Sequence, residues 1–232
     1  MTFNRFANDY PVALDIAREL IKRHDAGETF SAVPDDVLHL AEALLTESSR
    51  YDDKRLAFMH PSILCANGEY YDFTDPDAFS WDIQVIAAGL RAPRFTAQTR
   101  STGTYSIAQH SLLASYIVPK GFELEALLHD AQESVLGDKA TPFKILLPDY
   151  KHYEDIAEAA VRRKYGLPPT MSPEVKHADL VMLASEKRDI MPNPEDEWAM
   201  LKGVETLPFE IEVWDVERAR DAFLARFADL TA

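Results

Sequence analysis

The stretch EALLHDAQESVLGD, Glu125 to Asp138, decides how the rest of the chain is read. Its apolar run Ala126-Leu127-Leu128 suits a buried helix, and Gly137 supplies the left-handed stop that commonly ends one. The pattern therefore predicts a helix over 123–136. That helix would carry His129 and Asp130 side by side. Glu133 follows three residues after Asp130 and four after His129, which places all three on one face. An imidazole and two carboxylates are costly to bury unless something pairs with them, and a metal ion is the simplest partner.

Working outward, the segment from Tyr105 to about Ile117 has Ile107, Leu112, Leu113 and Ile117 on one side, which sets His110 among apolar neighbours. Downstream, Ser172-Pro173 reads as an N-cap and first turn. The helix it opens runs to about Arg188 and holds Asp179 within an apolar stretch. A charged helix is expected over 150–165, stopped by Gly166, and a last one from about Val216 to Leu230. Asn67-Gly68, between apolar and aromatic runs, predicts a β-hairpin near 62–73. Another helix through Ile83, Val85 and Ile86 is weakened by Gly89 and closed by Pro93. Two amphipathic helices, about Asp9–His24 and from Pro34-Asp35 onward, precede these. The expected architecture is an all-α helical bundle over 59–232 with one small hairpin. A helical extension over 1–58 packs with it and serves as a dimer surface or a lid.

Composition limits the function classes. A formal net charge of −15 argues against duplex nucleic acid, whose binding needs many phosphate contacts from Lys and Arg. One or two local cations can still hold a small phosphorylated ligand. No apolar run reaches the ~20 residues of a membrane span. The N-terminus lacks the pattern of a secretion signal, and Cys65 is the single cysteine, so a reducing cytoplasm is the expected location.

His110, His129, Asp130 and Asp179 thus form a set of two imidazoles and two carboxylates on core-facing helices. Mixed nitrogen and oxygen ligation of this kind suits a divalent ion such as Mn, Co, Ni, Fe or Mg. Any one of these residues alone reads more simply as a satisfied core histidine or a cap; the set of four in this order does not. His177 competes locally with Asp179 but points elsewhere on the helix.

The order His110, His129-Asp130, Asp179 resembles the signature of the HD-domain metal-dependent phosphohydrolases. The block from His129 to Asp138, followed by Thr141-Pro142-Phe143-Lys144, is similar to that of bacterial HD-domain 5′-deoxynucleotidases. Arg94-Phe95 resembles their Arg-Trp pair, with Phe in place of Trp. The stretch from Phe73 to Ser111 also looks like small HD-domain proteins of bacteria and their phages. The resemblance covers roughly Tyr70 to Glu186. It implies a metal held by His110, His129, Asp130 and Asp179, with Glu133 orienting a water or moving its proton. Glu133 reads alternatively as a partner of a ligand histidine. Asp138 is implied near the nucleophile and the leaving sugar oxygen, or else caps the next turn. Arg94 and Lys144 are the phosphate candidates, Phe95 stacks on a base or fills core, and Glu186 lies behind the ligands on the face of Asp179.

The implied activity is hydrolysis of nucleoside 5′-monophosphates, with deoxynucleotides favoured, by a homodimer or small homo-oligomer. A (deoxy)nucleoside triphosphate triphosphohydrolase is the alternative. It would use more cations, of which only Arg94, Arg100, Lys139 and Lys144 are candidates. A non-catalytic nucleotide-binding or interaction module is the remaining reading.

Overall fold

In a computed structural model, the described residues are 61–100 and 103–232. The helices expected before residue 59 lie outside them. Strands β1 (Ser62–Leu64) and β2 (Tyr70–Asp72) pair antiparallel, with Ile63 opposite Tyr71. Gly68, at φ 85°, makes the turn between them. The described remainder is helical: α1 (Ile83–Gly89), α2 (Ile107–Ile117), α3 (Glu123–Leu128), α4 (Glu133–Leu136), α5 (Thr141–Lys144), α6 (Pro148–Tyr165), α7 (Pro173–Asp189) and α8 (Val216–Thr231). Short 3-10 turns fall at Pro76–Ala78 and Ala199–Leu201. The described residues are thus mostly helical, with one small hairpin among them.

Side-chain caps begin several helices where the sequence supplies them. Asp82, Ser106 and Asp215 each accept backbone N–H groups at the starts of α1, α2 and α8. Ser172 stands at the N-cap of α7 without capping it. Its N–H and hydroxyl instead donate to the buried Glu125, which joins α7 to α3.

α2 lies at the centre, packed on α3, α8 and α7. Its burial explains how His110 can be fully enclosed: eight of its residues are buried, from Ile107 through Ser115. The main core gathers Tyr71, Phe79 and Trp81, whose rings meet edge to face, with Ile86, Leu90, Ile107, Leu127 and Phe223. A second cluster, Tyr105, Met182, Ile190 and Leu207, sits between α2 and α7, with Phe95 against it.

The expected single helix over 123–136 is two. α3 ends at Leu128, four residues of turn follow, and α4 starts at Glu133. Through the turn, N–H groups of Ala131, Glu133 and Ser134 donate to carbonyls three residues back, the tighter 3-10 pattern. α1 packs directly on α4. A Cβ on Gly89 would stand 2.2 Å from the Ser134 carbonyl oxygen, so the two backbones are already in contact. Gly89 therefore does more than weaken α1; it lets α1 meet α4, the helix that follows the turn carrying the His-Asp pair.

Candidate metal centre

The turn after α3 sets His129 and Asp130 against α2 and α7, and four expected residues converge there. His110 and His129 face each other with their Nε2 atoms 3.2 Å apart. Asp179 Oδ1 lies 3.2 Å from His110 Nε2 and 3.8 Å from His129 Nε2. Asp130 Oδ2 lies 3.3 Å from His129 Nε2 and 3.6 Å from His110 Nε2. His177, the local competitor of Asp179, is exposed.

The outer nitrogens fix which ring atom faces the cluster. His129 Nδ1 is 2.8 Å from the Ala126 carbonyl, an acceptor only, so Nδ1 carries a proton, and in the neutral ring Nε2 is the nitrogen with the lone pair. His110 Nδ1 lies 2.6 Å from Glu186 Oε1, which orients that ring in the same sense. Two lone pairs at that separation need positive charge between them. Bonds of about 2.1 Å to one ion place neighbouring donors roughly 3 Å apart, the scale found here. His110, His129 and Asp179 bring one donor atom each within reach of a common ion, and Asp130 Oδ2 stands at comparable distances from both rings.

Arg94 supplies cationic charge beside the cluster. Its guanidinium reaches Asp130 at 3.0 Å, Asp179 at 3.4 Å and Glu186 at 3.3 Å. Burial works against ionised carboxylates here, yet His129, Arg94 and His110 hold the Asp130 pKa well below its ordinary range. Burial likewise opposes protonation of His129, but Asp130 and Asp179 push its pKa well above the usual value. The oxygens thus draw positive charge to the imidazoles, and a divalent ion between the Nε2 atoms would meet the same demand. Asp179 forms the open edge, with a third of its side chain exposed.

Glu133 sits beside these groups, almost wholly buried. Burial first, then Asp130 and Asp138, raise its pKa well above that of an ordinary carboxyl. Its Oε2 is a buried atom without a hydrogen-bond partner among the described residues, while Oε1 lies 3.9 Å from Lys144 Nζ.

The other expected residues divide. Phe95 lies beneath Arg94, whose Cζ is 4.9 Å from the ring centroid. Lys144 is drawn to Glu154 on α6, with Glu133 the more distant partner. Asp138 does not cap α5, which starts from Ala140; its Oδ2 accepts the Phe95 N–H at 2.9 Å. Arg100 donates to the Asp189 carbonyl and Lys139 to the Leu136 carbonyl. Tyr105, whose hydroxyl donates to Glu186 at 2.8 Å, and Glu154 were not expected. Tyr105 had a faint signal, five residues before His110 at the start of the same helical segment; Glu154 had none. A cavity of about 670 Å³ lies elsewhere, between α7 and the loop bearing Trp198.

No family model matches the chain. The uncharacterized protein YfdR of Escherichia coli strain K12 is 46% identical over 128 residues, covering 55% of this chain and 72% of that protein. An uncharacterized protein of Rhodobacter capsulatus is 36% identical over 121 residues, covering 48% of this chain and 62% of that protein. Identity of that degree over most of its length shows that the chain belongs to the family of the Escherichia coli protein YfdR.

Proposed function

We propose that the chain is a metal-dependent phosphohydrolase that releases phosphate from nucleoside 5′-monophosphates, deoxynucleotides above all. The observation that carries the reading is the convergence of two imidazole nitrogens and two carboxylates beside a single buried guanidinium. The nucleotide part rests on the likeness of the His129–Lys144 block and Arg94-Phe95 to HD-domain 5′-deoxynucleotidases. When bound by His110, His129, Asp130 and Asp179, a divalent ion supplies a polarised phosphoryl oxygen and an acidified water.

The chain's own residues have separate tasks. Arg94, already bound to carboxylates on two sides of the cluster, is placed to hold a phosphoryl oxygen with its planar fork. Glu133 can hold or move a proton at Oε2, the oxygen without a partner among the described residues, because burial, Asp130 and Asp138 raise its pKa well above that of an ordinary carboxyl. Glu186 keeps the His110 ring in the tautomer that offers Nε2. One guanidinium, with Arg100 and Lys139 turned to carbonyls and Lys144 to Glu154, suits one phosphate better than three.

The test is turnover of ribo- and deoxynucleoside mono- and triphosphates with Mn, Co, Ni, Fe or Mg supplied. Metal-dependent phosphate release from monophosphates is expected. Release of intact triphosphate would move the reading to the triphosphohydrolase, and saturable nucleotide binding without turnover to a binding module. Asp130→Ala should weaken metal binding by more than the ~100-fold that loss of an outer-shell partner costs. Full metal affinity in that variant would defeat the site assignment.

A further inference from the structure

Asp138 stands at the rim of the cluster on the turn that Gly137 opens, with φ 71° at the glycine. Its Oδ2 accepts the Phe95 N–H at 2.9 Å across a sequence separation of 43 residues. Phe95 has φ 57°, in the left-handed region. A bulky L-residue stays there only when its surroundings enforce it. The enforcement is visible. The Arg94 N–H donates to the Tyr105 carbonyl at 2.8 Å, and the Gln98 N–H donates back to the Phe95 carbonyl at 2.9 Å. The Phe95 N–H, between those two bonds, is held by Asp138 alone. The ring of the same residue packs on the Tyr105 and Met182 cluster, and the Arg94 guanidinium lies over it.

A line of contacts therefore runs from Asp138 to the Phe95 backbone, through the Phe95 ring to Arg94, and from Arg94 to Asp130 and Asp179. We infer that Asp138 is a positioning residue: by fixing the strained Phe95 turn it sets the aim of the phosphate-holding guanidinium. This rests on the reading of Arg94 as the phosphate ligand. The resemblance implies a place for Asp138 beside the nucleophile; in this chain its Oδ2 also accepts a backbone amide. Phe at position 95 suits the role, since its ring supports Arg94 from below without a polar edge of its own.

Two substitutions separate position from charge. Asp138→Asn removes the charge and keeps an acceptor oxygen; Asp138→Ala removes both. Two readouts apply: amide hydrogen exchange at Phe95, and calorimetric titration of inorganic phosphate into the manganese-supplemented protein. Asp138→Ala should speed Phe95 exchange and weaken phosphate binding, each by about tenfold, the scale of one lost hydrogen bond. Asp138→Asn should keep both within about threefold of the wild type, because the acceptor that matters is retained. Phe95→Leu gives a second check that does not depend on Asp138→Ala folding: it should weaken phosphate binding while the amide at 95 stays protected. Asp138→Asn losing as much phosphate affinity as Asp138→Ala would overturn the positioning role, and so would a fast-exchanging Phe95 amide with undiminished phosphate binding. A wild-type protein that binds no phosphate would overturn the reading of Arg94 itself.

Discussion

Arg162 and Arg94 are both buried guanidiniums bound to carboxylates, and their surroundings are opposite in kind. Arg162 donates to Glu125 at 3.0 Å, to Glu158 at 2.8 Å and to the Pro168 carbonyl at 2.9 Å. Glu125 in turn takes the N–H and hydroxyl of Ser172. The donors and acceptors balance, and the network ties α3, α6 and the start of α7 together. Around Arg94, three carboxylates share one guanidinium, two imidazole nitrogens face each other, and Glu133 Oε2 has no partner among the described residues. The fold can saturate a buried ion network, and does so where the role is structural. At the candidate centre the balance depends on positive charge drawn to the two imidazoles, charge that a bound ion could supply instead.

That contrast can be broken from either side. Arg162→Ala leaves Glu125 buried without its countercharge, so it should destabilise the fold by about 3–5 kcal/mol in denaturant unfolding. A loss near zero would show the pair to be no more structural than an exposed one. On the other side, Glu186→Gln keeps an acceptor for His110 Nδ1 but deletes the charge behind the ring. It should lower manganese affinity by about tenfold, read by calorimetry, with little change in unfolding midpoint. The smallest expected effect is on stability against pH. Burial, Asp130 and Asp138 raise the folded pKa of Glu133, so the folded protein binds a proton that the unfolded chain has released. Stability from this group is full below the ordinary carboxyl range and declines as pH rises from there toward the raised folded pKa. Glu133→Gln removes that decline. Its gain in melting temperature over the wild type should be larger at pH 8 than at pH 5, and an equal gain at both would deny the shift.

How far the sequence revealed these regions depends on the range of the interactions. The hairpin was legible because Asn67-Gly68 acts locally, and β1 pairs with β2 around it. His110 and Asp179 were legible as polar residues on apolar helices, where burial makes an unexplained polar group conspicuous. The break between α3 and α4 was not. The residues of 123–136 all suit a helix, and nothing in their pattern marks the tighter turn at 129–132. The bond from Phe95 to Asp138 was hidden for a related reason. A side chain accepting a distant backbone N–H leaves no periodic trace, and Phe carries no mark of a left-handed backbone. Glu154 was equally silent, an acidic residue on a charged helix that reads as solvated until Lys144 is seen beside it.

The Gly89 contact carries one more consequence. Where side chains separate two elements, a rotamer change can absorb a substitution. Between α1 and the Ser134 carbonyl no side chain is interposed, so the gap has no adjustable part. The glycine acts as a spacer of zero thickness, and the distance from α1 to α4, which begins with Glu133, is gauged by peptide groups alone. A single methyl at 89 would be transmitted to α4 as a rigid displacement, reaching Glu133 without touching it.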